Sequence, residues 1–352
     1  MSGPSPGGPA RTRYDASRDE VADALQGEPA YRIDQVWNAL YHQRRPLDSI
    51  SNVPAALRRR LEAQFPLALR ESTVQHSADG ATTKWLWELD GGARIESVLM
   101  HYEDRTTVCV STQAGCAMAC GFCATGQAGF ERQLTVGEIV EQVLRAQHAA
   151  GERRVGNVVF MGMGEPFANF DATWSAIHRL HDDAEFGARH LTVSTVGIVP
   201  GIRRLAHEDL PVNLAVSLHA ADDELRDELV PINRRYPLSE LIEACHEYAE
   251  ATHRRISFEW ALIAGVNDRY EDADRLAAIA AGLAAHVNLI PLNPTPGYEV
   301  IGSSRNRVHA FRDRLTGHGV VATIRDTRGT EIDAACGQLR AAHEVRIRRP
   351  GE

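Results

Sequence analysis

Three of the chain's six cysteines stand within eight residues, in the run Cys116-Ala-Met-Ala-Cys120-Gly-Phe-Cys123. Thiolates spaced by four and three residues in one loop can hold three irons of a four-iron cluster, leaving the fourth iron open to another ligand. A closed cluster or a structural zinc would need a fourth protein ligand. Cys109, Cys245 and Cys336 are distant in sequence, so no fourth thiol stands beside the triplet. A zinc knuckle or buried free thiols are the alternatives. Six cysteines in 352 residues are far too sparse for a disulfide scaffold, so the thiols read as ligands or reactive groups in a reducing compartment.

Other residues offer chemistry on weaker signals. In Phe160-Met-Gly-Met-Gly-Glu165-Pro166, the small residues Gly162 and Gly164 let backbone polar groups approach a ligand, and Glu165 can receive an ammonium group. Alone, such a run is more often a turn. Glu96 shares a strand face with Val98 and Met100 and is a candidate proton acceptor, although an exposed strand glutamate is the commoner case. Alternation puts Cys109 on the face opposite Val108 and Val110, which reads as a small core residue. Cys336, among small residues in Asp333-Ala-Ala-Cys336-Gly337, reads as an exposed, mobile thiol. Cys245 sits at helical spacing with Leu241, Ile242 and Ala249 and reads as core.

The elements that must position these groups follow from periodicity. Strands are predicted near 107–112, 157–161, 191–195, 212–218, 256–263, 287–292 and 320–325, with helical patterns between most of them. Such alternation argues for an α/β fold of parallel βαβ units forming a full or partial barrel, whose active residues sit in loops after the strands. The segments 115–126, 162–166 and 217–219 meet that condition. A Thr135-x-x-Glu138 capping box opens the helix after the cysteine loop. Upstream, residues 18–69 have helical spacing, and two alternating runs joined by Asp90-Gly91-Gly92 predict a β-hairpin. The expected organisation is a flexible tail over 1–14, a helical module over 15–80, a hairpin linker over 81–105, a barrel core over 106–340 and a tail over 341–352.

Composition bounds the partners. No apolar run is long enough to span a membrane and the amino terminus has no apolar signal core, so a cytoplasmic protein without membrane contact is expected. The net charge of −9 excludes holding nucleic acid through overall positive charge. Residues 31–70, however, carry seven arginines against three acidic residues, together with Trp37 and Tyr41. They form a candidate RNA-docking surface, with an arginine-rich solvated face over core aromatics as the alternative. Lysine occurs once, at Lys84.

The run from Gln113 to Gly126, the Gly-x-Gly-Glu165-Pro166 segment, Ser217-Leu-His219, His286-Val-Asn-Leu-Ile-Pro291-Leu-Asn293-Pro294 and Ala334-Ala-Cys336-Gly-Gln-Leu339 occur in this order. Through them nearly the whole chain resembles the RlmN-type dual-specificity RNA methyltransferases, a family of the radical S-adenosylmethionine (SAM) superfamily. The resemblance implies a partial (β/α) barrel of the radical SAM type, with the helical module and hairpin appended. It implies a [4Fe-4S] cluster on Cys116, Cys120 and Cys123, and SAM contacts at Gly164, Glu165, Ser194, Ser217, Leu218, His219 and Asn293. It gives catalytic roles to Glu96, Cys336 and Cys109. The implied reaction methylates adenine C2 in 23S ribosomal RNA and transfer RNA through an S-methylcysteine, with two SAM consumed per methyl group. A low-potential donor such as flavodoxin and a monomeric enzyme are expected. A related enzyme acting at adenine C8, or a non-catalytic RNA-binding protein with a structural cluster, are the alternatives.

Overall fold

The computed structural model describes residues 11–293, 301–325, 332–334 and 338–339. Its strands are β1 (Arg70–His76), β2 (Thr82–Glu88), β3 (Arg94–His101), β4 (Thr106–Cys109), β5 (Gln113–Gly115), β6 (Phe130–Gln133), β7 (Asn157–Phe160), β8 (Leu191–Thr195), β9 (Asn213–Ser217), β10 (Ser257–Leu262), β11 (His286–Pro291) and β12 (Val321–Ile324). Ten of them form one sheet in the order β1-β2-β3-β4-β7-β8-β9-β10-β11-β12, and β5 pairs with β6 alone. Neighbours are antiparallel from β1 to β4 and parallel from β4 to β12. Each parallel strand lies beside its predecessor, as successive βαβ crossovers require, and the two edge strands β1 and β12 do not pair among the described residues. The expected partial barrel is therefore the observed architecture.

Strand alternation divides the sheet into two chemically different faces. Val108, Val158, Phe160 and Val193 are fully buried in the continuous hydrophobic core. The opposite face carries a row fixed by register, Lys84, Val98, Cys109, Val159, Thr192 and Asn213, each directly opposed to the next. Directly opposed residues share a face, so Lys84 and Cys109 point to the same side of the sheet as Glu96, two residues from Val98. The helix Val136–Ala149 begins at the predicted capping box. Glu138 N–H donates to Thr135 Oγ1 at 3.2 Å, and Thr135 N–H donates to Glu138 Oε2 at 2.9 Å.

Three features depart from the sequence expectations. Residues 70–76 form a strand, not part of a helical module, and extend the hairpin to three antiparallel strands. Six of the seven β1 residues are exposed, so the strand shows no apolar alternation. The β5–β6 pair around the cysteine loop also went unread, because β5 is a three-residue run of one polar and two small residues and β6 has no buried residue to set up an alternation. Finally, Trp37 and Tyr41 do not face solvent. Trp37 Nε1 donates to Asp183 at 2.9 Å, and the Arg179 guanidinium lies over both rings while donating to the Tyr41 hydroxyl at 2.8 Å. These aromatics join the N-terminal helices to the barrel in one continuous core.

Candidate active site

The cysteine loop is closed by β5 and β6. Cys116 N–H donates to the Gly129 carbonyl at 2.8 Å, and Gly115 has a φ of +73° there. A Cβ on Gly115 would sit 2.0 Å from that same oxygen, so only glycine permits this approach. Cys116, Cys120 and Cys123 then line one wall of a single cavity at the carboxyl ends of the strands, beside Phe122, Gly162, Gly164, Glu165, Ser194, Ser217, His219 and Glu259. Among the described residues no three His, Cys, Asp or Glu side chains close around a single metal ion. Three thiols lining one cavity suit a polynuclear cluster, in which each thiolate takes a different iron. Burial pushes the Cys116 thiol up to about 12 and Cys120 well above its usual range, so each favours the protonated form until a cation arrives.

The second wall is built by the glycine-rich turn after β7. A Cβ on Gly162 would lie 2.7 Å from the Val110 backbone, and one on Gly164, whose φ is +100°, 2.5 Å from Gln113 Cβ. Gln113 Oε1 in turn accepts from Glu165 N–H at 2.7 Å. Glu165 is buried, and its carboxylate accepts from Val196 N–H at 2.8 Å and Phe167 N–H at 3.0 Å. Burial raises its pKa to about 7 despite these donors. A cationic ligand group would offset that desolvation, which fits the carboxylate to an ammonium.

His219 has a φ of +61° and its ring meets Phe122 edge-on, with centroids 4.7 Å apart. Its Nδ1 accepts from Ala261 N–H at 3.0 Å, so the neutral ring carries its proton on Nε2. Burial, then the nearby Arg226, drive its pKa down to about 3 and keep the ring neutral. It is thus both a satisfied buried histidine and a cavity-lining one. Leu218 is buried between Ser217 and His219, and Asn293 is buried just past β11.

Glu96 and Cys109 do not line this cavity but lie on the sheet face that continues into it. Cys109 is opposed to Val159, two residues from the cavity-lining Met161. Both side chains are buried. Cys336 lies outside the described residues, and Cys245 is buried in the core as expected.

Sequence reasoning missed several groups that shape the site. Arg226, completely buried, donates to the Leu218 carbonyl at 3.1 Å, the Val196 carbonyl at 2.7 Å and Asn233 at 2.7 Å, fixing two strand-end loops of the cavity. Glu259 accepts from Ser257 at 2.9 Å and Asn288 at 2.7 Å within the barrel, and burial raises its pKa. Neither lies in a recognisable spacing; both are charged residues in patterns that otherwise read as ordinary helix and strand.

The superfamily described as the radical SAM superfamily matches residues 110–277. A "Probable dual-specificity RNA methyltransferase RlmN" of Parafrankia sp. (strain EAN1pec) is 53% identical over 97% of this chain and 94% of its own length. The "Dual-specificity RNA methyltransferase RlmN 1" of Myxococcus xanthus is 49% identical over 96% of each. Among solved structures, a radical SAM methyltransferase from Sphaerobacter thermophilus superposes with a TM-score of 0.90 at 48% identity, covering 94% of this chain and all of that one.

Proposed function

The chain belongs to the RlmN family of the radical SAM superfamily, and from that premise we propose that it methylates C2 of an adenine in 23S ribosomal RNA and in transfer RNA. The observation that carries this reading is the cavity where three thiols face a buried carboxylate across the carboxyl ends of parallel strands. The family implies a [4Fe-4S] cluster and SAM. Cys116, Cys120 and Cys123 would hold the cluster, and Glu165 the ammonium of SAM, with Gly164, Ser194, Ser217, Leu218, His219 and Asn293 around the rest of that molecule. Together the two groups supply one-electron cleavage of a sulfonium, the source of a radical that removes hydrogen from a methyl group. Such chemistry suits adenine C2, an electron-poor carbon that is a poor nucleophile for methyl displacement.

The remaining roles belong to the chain's own side chains. Cys336 accepts a methyl group by displacement from one SAM, and its methyl carbon, after loss of hydrogen, bonds to C2. Glu96 accepts the C2 proton. Cys109 attacks Cys336 and breaks its bond to the methylene carbon, which takes up a proton to become the methyl group of the freed base; the one surplus electron would return to the cluster that supplied the first, and the disulfide left behind must be reduced by an external donor before the next turnover. A low-potential donor of the flavodoxin type and a monomeric, cytoplasmic enzyme complete the proposal.

The two cysteines should fail differently when replaced. Cys109→Ala should retain methyl on Cys336 and accumulate protein covalently bound to RNA, seen on a denaturing gel and located by peptide mass spectrometry. Cys336→Ala should show neither species. Both replacements remove one sulfur, so a small cavity cannot account for an adduct in one and not the other. Normal turnover by Cys109→Ala would end the two-cysteine reading.

A further inference from the structure

We propose that Lys84 is the positioning residue for Glu96, holding its carboxylate aimed, and that it ties this carboxylate to Asp333, three residues before Cys336 in sequence. The inference rests on the reading of Glu96 as the acceptor of the C2 proton. Lys84 Nζ lies 3.5 Å from Glu96 Oε1 and donates to the Asp333 carbonyl at 3.3 Å. Both side chains are almost sealed from solvent, at 8% and 5% exposure. A buried ammonium is costly unless paired, so its two partners fix where it lies and, with it, where the carboxylate beside it points. Lys84 is also the chain's single lysine among thirty-eight basic Lys and Arg residues. A compact ammonium with rotatable donors can serve a carboxylate and a carbonyl from one small volume.

Register places this pair beside Cys109. Lys84 is directly opposed to Val98, and Val98 to Cys109, so ammonium, carboxylate and Cys109 share one face over three adjacent strands. Asp333, with a φ of +51°, precedes Cys336 by three residues. On the other side of Cys336, also by three residues, the Leu339 carbonyl accepts from Thr125 Oγ1, a residue of the cavity wall. Of the described residues that flank Cys336 in sequence, Asp333 is thus held by Lys84 and Leu339 by the cysteine loop. Lys84 holds Asp333 and the proton acceptor in a single set of contacts.

The test is a single turnover by holoenzyme already methylated on Cys336, with RNA carrying hydrogen or deuterium at C2 of the target adenine. Lys84→Gln keeps a donor for the Asp333 carbonyl and removes the charge. It should slow the turnover about tenfold to a hundredfold, the scale of a misplaced catalytic group, and should enlarge the deuterium isotope effect because proton loss has become limiting. Lys84→Arg should restore most of the rate. In combination with Glu96→Gln, the Lys84→Gln loss should vanish, since a residue acting through Glu96 has nothing left to act on. A slow Lys84→Gln enzyme with an unchanged isotope effect, or losses that multiply in the double variant, would make Lys84 merely structural and overturn the proposal. Should Lys84→Gln not assemble a cluster, Lys84→Met, which keeps the length of the side chain and removes its charge, takes its place in the same cycle with Glu96→Gln and is judged by the same two outcomes. If Glu96→Gln itself turns over normally, it is the reading of Glu96 as proton acceptor that fails; if only Lys84→Gln is without effect, the Lys84 assignment alone fails.

Discussion

At the scale of single residues, the site is a set of tight backbone approaches and buried charges, and each makes a distinct prediction. Gly164→Ala puts a Cβ 2.5 Å from Gln113 in a left-handed conformation, so the turn holding Glu165 must move. The substitution should abolish reductive cleavage of SAM while circular dichroism and the melting transition stay close to wild type, because the strain is local. Cys120→Ala should remain folded, losing no more than a few kcal/mol for a small cavity, yet iron and sulfide analysis should find no stable four-iron cluster. Retention of a full cluster would remove the basis for assigning these thiols. Since burial holds Cys116 at about 12 and Cys120 well above its usual range, cluster assembly must release their protons. Reconstitution in weakly buffered anaerobic solution should therefore acidify it, and less so for Cys120→Ala. The cysteine triplet and the Gly-x-Gly-Glu run were legible because their spacing is local. Lys84 and Arg226 were not, because their partners come from distant segments: Lys84 meets Asp333 across 249 residues, and Arg226 meets Val196 across 30.

Among elements, the strands were read well wherever one face is buried, since alternation reports burial and burial fixes register. That is why β4, β7, β8, β9, β10, β11 and the β2–β3 hairpin were anticipated, and why the exposed β1 was missed; β12 has no buried residue, only an alternation of exposed and half-buried ones. The N-terminal helices posed a different problem: their spacing was right, but sequence could not tell which partner covered Trp37 and Tyr41. Part of the answer is Glu141, fully buried on the helix Val136–Ala149, which accepts from Ala68 N–H at 2.8 Å and Leu69 N–H at 3.2 Å and so fastens the end of that region to the barrel. Burial raises its pKa to about 7, from 4.5 ordinarily. Between those values the folded chain binds more protons than the unfolded one, so stability falls as pH rises, by up to about 3 kcal/mol across the interval. Glu165 contributes a fall of the same sign. Glu141→Gln, which cannot titrate, should lose less stability than wild type between pH 5 and pH 8 in urea titrations; equal slopes would show that the carboxylate ionises freely in the fold.

For the whole molecule, the central question is how a protein of net charge −9 approaches a polyanion. The basic region at residues 31–70 is the candidate, but its aromatics are spent on the core and several of its arginines are occupied locally. Arg44 is buried against Phe186 and donates to the Ala184 carbonyl, Arg45 donates to the Ser49 carbonyl, and Arg58 to the Asp48 carbonyl. Their charge remains, yet any contact with RNA must come chiefly from exposed positions such as Arg59, and Arg60 and Arg70, which are exposed although they donate to the Ala24 carbonyl and to Glu88. Deleting the region is a poor test, because it shares one continuous core with the barrel and its removal would strip Leu40, Tyr41 and Leu61 from that core. Single charge removal is the sharper one. Arg59→Ala, on the exposed side of the helix Ala55–Gln64, should leave the fold and SAM cleavage unchanged while weakening RNA binding. If Arg59 meets a phosphate, the slope of log affinity against log salt should fall by about one. A slope and affinity equal to wild type for the Arg59, Arg60 and Arg70 alanine variants together would move the RNA surface onto the barrel, around the mouth of the cavity.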